Sequence, residues 1–163
     1  MLRRFIFPAM AAGLLASACA TTPQCRPPTD AERQLFGAIV AHDEATVASA
    51  MAPSASATAA RLRNLDPALE AQVFGSRMGD RSVRTVLMRP PLCLYDAADG
   101  RNARTTYVFA NGRFDALQAA SPSQLALGTP GVDHAACRFV EVDGVWHLED
   151  ACLSTFSATA SSS

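Results

Sequence analysis

Residues 137–152 read Cys-Arg-Phe-Val-Glu-Val-Asp-Gly-Val-Trp-His-Leu-Glu-Asp-Ala-Cys, two β-prone runs about an Asp-Gly pair. Asp143-Gly144 is the signature of a two-residue type I′ hairpin turn, in which both central residues take positive φ. That turn fixes a register. Val142 stands opposite Val145, Glu141 opposite Trp146, and Phe139 opposite Leu148. One face then gathers Cys137, Phe139, Trp146 and Leu148, the expected core side. The other carries Arg138, Val140, Val142, Val145, His147 and Glu149. In this register Cys137 and Cys152 share a face but stand two residues out of opposition. A bridge between them requires an irregularity near the strand ends.

Upstream, three further runs read as strands: 83–88, 92–95 and 104–110. The first is β-branched and is broken by Arg89-Pro90-Pro91. Asp99-Gly100 and Asn111-Gly112 mark turns, and 113–117 completes a hairpin with 104–110. Residues 121–124 read as a short capped helix and the Gly/Pro cluster 128–131 as a loop, with His134 in a loop position near Asp133.

The first half is helical. Thr29 and Glu32 have capping-box spacing, and Leu35, Phe36, Ile39 and Val40 form a helical stripe. Asp43 is a second N-cap, opening a helix with Val47 and Met51 on one face. Residues 52–60, rich in Ala, Ser and Pro, read as a loop or weak link. Asp66-Pro67 is a cap followed by Pro in the first turn, with Leu69, Val73 and Phe74 as the apolar face and Gly75 as the stop. Helices first and hairpin-joined strands after predict an α+β fold, with N-terminal helices packed on a small antiparallel sheet. The helical segment 39–47 (Ile-Val-Ala-His-Asp-Glu-Ala-Thr-Val) and the closing Asp-Gly-Val-Trp-His-Leu hairpin resemble the nuclear transport factor 2-like fold. That resemblance implies a pocket between sheet and helices, with a carboxylate or histidine inside.

Five cysteines are present. Setting Cys19 aside, Cys25, Cys93, Cys137 and Cys152 are an even set that suggests a disulfide framework of an exported protein. Three connectivities are open; Cys137–Cys152 with Cys25–Cys93 is favoured because the first pair flanks one hairpin. There is no Cys-x-x-Cys and no His pair at ligand spacing, so neither a metal site nor a cofactor is expected.

The N-terminus gives the address. Arg3 and Arg4 precede 14 uncharged residues, 5–18. That run is shorter than the about 20 residues of a membrane-spanning helix and suits a signal peptide. The sequence Leu15-Ala16-Ser17-Ala18-Cys19 resembles the lipobox of bacterial lipoproteins. The resemblance implies a signal peptide over 1–18 and lipidation at Cys19, followed by a tether over 19–28, a domain over 29–156 and a disordered tail over 157–163. It also implies the outer membrane, facing periplasm or cell surface, because Ala20 follows the cysteine where Asp would mark inner-membrane retention. Ala16-Ser17-Ala18 and Ala18-Cys19-Ala20 are alternative cleavage sites that would leave a soluble periplasmic protein. The 145 residues from Cys19 onward hold 12 arginines, no lysine and 15 acidic residues, a net charge of −3, which disfavours nucleic acid as a partner.

No catalytic constellation emerges from the sequence. Asp43 beside His42 is explained as a helix cap, His147 as a residue of the outer hairpin face, and Asp96, Asp99 and Asp115 as turn neighbours. Seven arginines cluster between 77 and 113: Arg77, Arg81, Arg84, Arg89, Arg101, Arg104 and Arg113. Their forked guanidinium groups would suit an anion-binding face meeting phosphates or an acidic polymer; the alternative is a solvated face with aspartates interspersed. The residues therefore favour a non-catalytic envelope lipoprotein, with the bilayer as partner through acylated Cys19 and an envelope protein or anionic polymer as ligand. The rivals are a small-pocket enzyme of the nuclear transport factor 2-like type and an inhibitor of a foreign hydrolase acting through the 128–133 loop.

Overall fold

The computed structural model describes residues 25–76, 80–110 and 133–156. The signal segment, Cys19, the 111–132 stretch with its expected turn, hairpin partner, helix and loop, and the tail lie outside them. The fold is α+β, with helices preceding an antiparallel sheet.

Helix α1 spans Asp30–Ala41 and starts at the full capping box: Thr29 accepts from the Glu32 backbone N–H, and the Glu32 carboxylate accepts from that of Thr29. It ends at His42, held in the left-handed region at φ 61° with its N–H bonded to the Ala38 and Ile39 carbonyls. Asp43 caps α2 (Glu44–Ser49) through the N–H of Thr46. Residues 52–60 are more regular than their composition suggests. A 3-10 turn, Pro53–Ala55, leads into α3, Ser56–Arg63, whose Ala59 and Leu62 are buried. Alanine is the best helix former, and the apolar positions bury that side, so the weak link is a helix. Asp66 caps α4 (Pro67–Leu69), which widens at once into a π-helical stretch, Glu70–Phe74, closed by Gly75.

The largest correction concerns residues 83–88. They form helix α5, Val83–Leu87, rather than a strand. Ser82 accepts from the Thr85 N–H as a cap, and Val83, Val86 and Leu87 are buried at i, i+3 and i+4. Over five residues a β-branched run cannot distinguish a strand from one helical turn, and here the cap and the tertiary contacts decide.

The sheet comprises β1 (Cys93–Ala98), β2 (Ala103–Phe109), β3 (His134–Val142), β4 (Val145–Leu148) and β5 (Leu153–Thr155). β1, β2, β3 and β4 are neighbours in that order, and β5 also pairs with β3. The final hairpin has the expected register, from Val142 opposite Val145 to Phe139 opposite Leu148. Asp143 and Gly144 take φ 52° and 79°, as a type I′ turn requires. Both edges of β2 are taken, by β1 and β3. His134, read as a loop residue, is the first residue of β3 and is buried.

β4 and β5 lie along the same edge of β3 but in different registers. Phe139 opposes Leu148, whereas Ala136 opposes Leu153. Two extra residues have entered the returning chain across Glu149–Ala151. That break supplies the irregularity the cysteines need: Cys137 and Cys152 are bridged, with Cα atoms 4.4 Å apart. The other bridge joins Cys25 to Cys93, Cα atoms 5.1 Å apart. It draws the end of the expected tether into the fold, where Arg26 and Leu94 exchange both backbone hydrogen bonds. At the opposite edge Ala52 donates to Leu148, and Leu148 donates to Ala50. Both outer strands thus have short partners, which limits edge-to-edge pairing with other chains.

The helix-facing side of the sheet supplies Leu94, Val108, Ala135, Cys137, Phe139 and Leu148 to one core with Phe36, Ile39, Leu62, Phe74 and Val86. A smaller cluster on the other face joins Cys93, Tyr107 and Phe109.

Candidate functional site

Among the described residues, polar side chains gather at three places on this frame. The first is where the start of α1 meets the sheet. Glu32 lies on the inward side of α1 because its carboxylate belongs to the capping box, and it is almost fully buried. Arg26 grips it with a fork, Nη1 to Oε2 at 2.7 Å and Nη2 to Oε1 at 2.6 Å. The same guanidinium bonds both oxygens of Asp96, at 2.6 and 2.8 Å. Arg104 adds a bond to Glu32 at 3.1 Å and lies 4.7 Å from the Trp146 ring centre and 5.4 Å from that of Phe139.

Burial alone would raise the Glu32 carboxyl, but the Arg26 fork and the Thr29 N–H outweigh it and hold Glu32 below its ordinary 4.5. Asp96 is likewise opposed by burial, yet held below 3.8 by Arg26 and the Thr106 hydroxyl. Both carboxylates are therefore ionised and occupied, a poor state for a general acid. Above them opens a groove of about 270 Å³ bordered by Gln34, Ser49, Trp146 and His147, with Glu32 and Arg104 at its base. Trp146 is 38 % exposed and Val145 55 %. An exposed aromatic edge over a fixed cation suits binding of a flat or polar ligand.

The second place is larger. A groove of about 700 Å³ runs from Tyr107, His134 and Arg138 on the outer sheet face, round the Glu149–Ala151 break, to Arg61 and Gln72 on the helices. The register break shapes it, since the two inserted residues open the strand edge there. Arg138 pairs with Glu149 at 2.9 Å, and Arg61 with Asp66 at 3.1 Å. The wall therefore carries both signs of charge. Burial pushes the Tyr107 phenol up, with Asp99 adding to the shift.

The third place is the junction of α1, α2 and the π-helical stretch. His42 Nε2 lies 2.7 Å from Glu70 Oε2 and 3.3 Å from Glu44 Oε1. The imidazole stacks on Phe74, ring centres 4.4 Å apart and planes 10° from parallel. In the sequence only the His42-Asp43 neighbours mark this place. Asp43 is indeed turned away, bonded to the N–H and hydroxyl of Thr46. Glu70 stands 28 residues from His42, and no local spacing reveals it.

The arginine cluster does not act as one group. Arg84 donates to the Val40 carbonyl at 2.8 Å, Arg89 pairs with Asp133 at 2.5 Å, and Arg104 is bound to Glu32. Arg81 and Arg101 are exposed. Arg77, Arg113 and Asp115 lie outside the described residues, as does Cys19. His147 is half-buried on β4, at the rim of the smaller groove. Among the described residues, no helix is long and apolar enough to cross a membrane. No family model, no curated protein and no solved structure matches this chain.

Proposed function

We propose that the chain is an exported lipoprotein, held at the outer membrane through acylated Cys19, whose domain binds an envelope partner and turns over no substrate. The observation that carries the reading is the pairing of all four domain cysteines into two disulfides. Such a framework belongs to an oxidising compartment, and the basic, then apolar, then Cys-terminated N-terminus is the matching export address. Two or more acyl chains give stable anchoring where one gives only reversible binding. Only five residues separate Cys19 from Cys25, which is bridged to Cys93. A lipidated Cys19 therefore keeps the domain within a few nanometres of the bilayer.

The 700 Å³ groove is the proposed contact surface. Its mixed charges and its Tyr107 and Leu153 contacts suit a polypeptide or polymer segment better than a single anion. The test is retrieval of partners from native membranes by photo-crosslinking at Leu153, which is 59 % exposed on the groove wall. A discrete adduct, absent when the crosslinker is moved to exposed Leu65, supports the reading. Substrate turnover by the purified protein contradicts it.

A further inference from the structure

We propose that His42, Glu44 and Glu70 form a binding site for a divalent cation of the zinc class, independent of the anchoring reading. One ligating atom from each residue lies within 4.8 Å of the other two. Around a tetrahedral zinc, with bonds of about 2.0–2.2 Å to nitrogen and oxygen, neighbouring ligand atoms stand roughly 3.3–3.5 Å apart. The imidazole already stands 3.3 Å from Glu44 and 2.7 Å from Glu70. Glu44 thus already stands at the ligand spacing from the ring nitrogen, and Glu70 stands closer than it.

Three observations favour an ion over a plain histidine–carboxylate pair. First, the ring is fixed: it stacks on Phe74, and its backbone is locked in the left-handed region by two hydrogen bonds. Second, the π-helical stretch brings Glu70 and Phe74 to the same imidazole, one by hydrogen bond and one by stacking. Widened turns of this kind are frequent at functional sites. Third, Glu70 Oε1 is buried with no hydrogen-bond partner. A single proton on Nε2 can serve one carboxylate oxygen; it leaves that atom and the second carboxylate uncompensated. Among the described residues, no arginine lies in ion-pair range of Glu44 or Glu70. A divalent cation would satisfy all three, with the ring proton on Nδ1 and the Nε2 lone pair on the metal. The site is half-buried, and three protein ligands leave a coordination position open to solvent.

The experiment uses the full mature protein without a histidine tag, stripped with chelator and titrated with zinc by calorimetry and with cobalt by visible absorption. One equivalent is expected to bind. Loss of an outer-shell partner typically weakens metal affinity by about 10–100-fold, so His42→Asn, which tolerates the left-handed backbone, should weaken it by more than about 100-fold. Glu44→Gln, on the half-exposed side chain, should weaken it too and serves as the second variant if His42→Asn does not fold. Absence of saturable binding overturns the proposal. So does one-equivalent binding left unchanged in a folded variant, which would place the ion elsewhere.

Discussion

Arg26 lies next to the Cys25–Cys93 bridge and closes a two-point fork on the buried carboxylate of Glu32. This pair ties three parts of the chain together: the N-terminal segment, the first turn of α1 and, through Asp96, the edge strand β1. Removing one partner of a buried pair leaves the other charge without compensation, at a cost of about 3–5 kcal/mol. Glu32→Ala leaves Asp96 as the one remaining carboxylate for Arg26 and Arg104, so its cost in urea unfolding is expected at the lower end of that range, about 3 kcal/mol.

The same pair sets an acid limit. Glu32 and Asp96 are both held below their ordinary values in the folded chain. Their contribution to stability is therefore fully present above the unfolded values and is lost as pH falls through the lowered ones. The melting temperature should decline below about pH 5, and more shallowly in an Asp96→Asn variant than in the parent. An unchanged acid slope in that variant would show that Asp96 does not contribute.

The two disulfides should differ in weight. One spans 15 residues and the other 68. Chain-entropy arguments give about 3 kcal/mol for the shorter loop and roughly 4 kcal/mol for the longer. Replacing Cys25 and Cys93 by serine should thus lower the melting temperature more than replacing Cys137 and Cys152, and should also release Arg26 from Glu32. Circular dichroism melts of the two double variants check the order.

Two glycines offer a paired test of local geometry. Gly144 has φ 79° and open space where a Cβ would go. Gly144→Ala should cost only the backbone penalty, about 1 kcal/mol. Gly75 has φ 70° with ψ 148°, and an added Cβ would meet the Ser82 hydroxyl at 2.9 Å. Gly75→Ala combines strain and collision and should cost more, about 2–3 kcal/mol. Chemical denaturation of both variants gives the comparison; equal effects would contradict the packing of Ser82 against the end of the π-helical stretch.

What the sequence reveals follows from what is local. The Thr29–Glu32 capping box, the Asp43 and Asp66 caps and the Asp143-Gly144 turn are each written within a few residues, and each stands where it is read. The α+β order follows from them. Residues 83–87 mislead because one turn of helix and a short strand share the same valines; the Ser82 cap decides between them. The Cys137–Cys152 bridge is anticipated with its need for an irregularity, but only the structure places the two inserted residues at Glu149–Ala151. The polar sites are least legible. Glu32 meets Arg104 across 72 residues and His42 meets Glu70 across 28, so neither pairing leaves a local motif. The arginine cluster, compact in sequence, is divided in space between a helix carbonyl, an aspartate and a buried glutamate.

Lipidation at Cys19 and oxidation of the other four cysteines together define the proposed envelope lipoprotein. Intact mass spectrometry of the protein taken from its native membrane, with and without reductant, tests both at once. The expected species is a chain beginning at Cys19 that carries a diacyl or triacyl addition and gains two hydrogens for each of its two bridges on reduction. An unmodified mass beginning at Cys19 or Thr21, or a mass that reduction leaves unchanged, would contradict it.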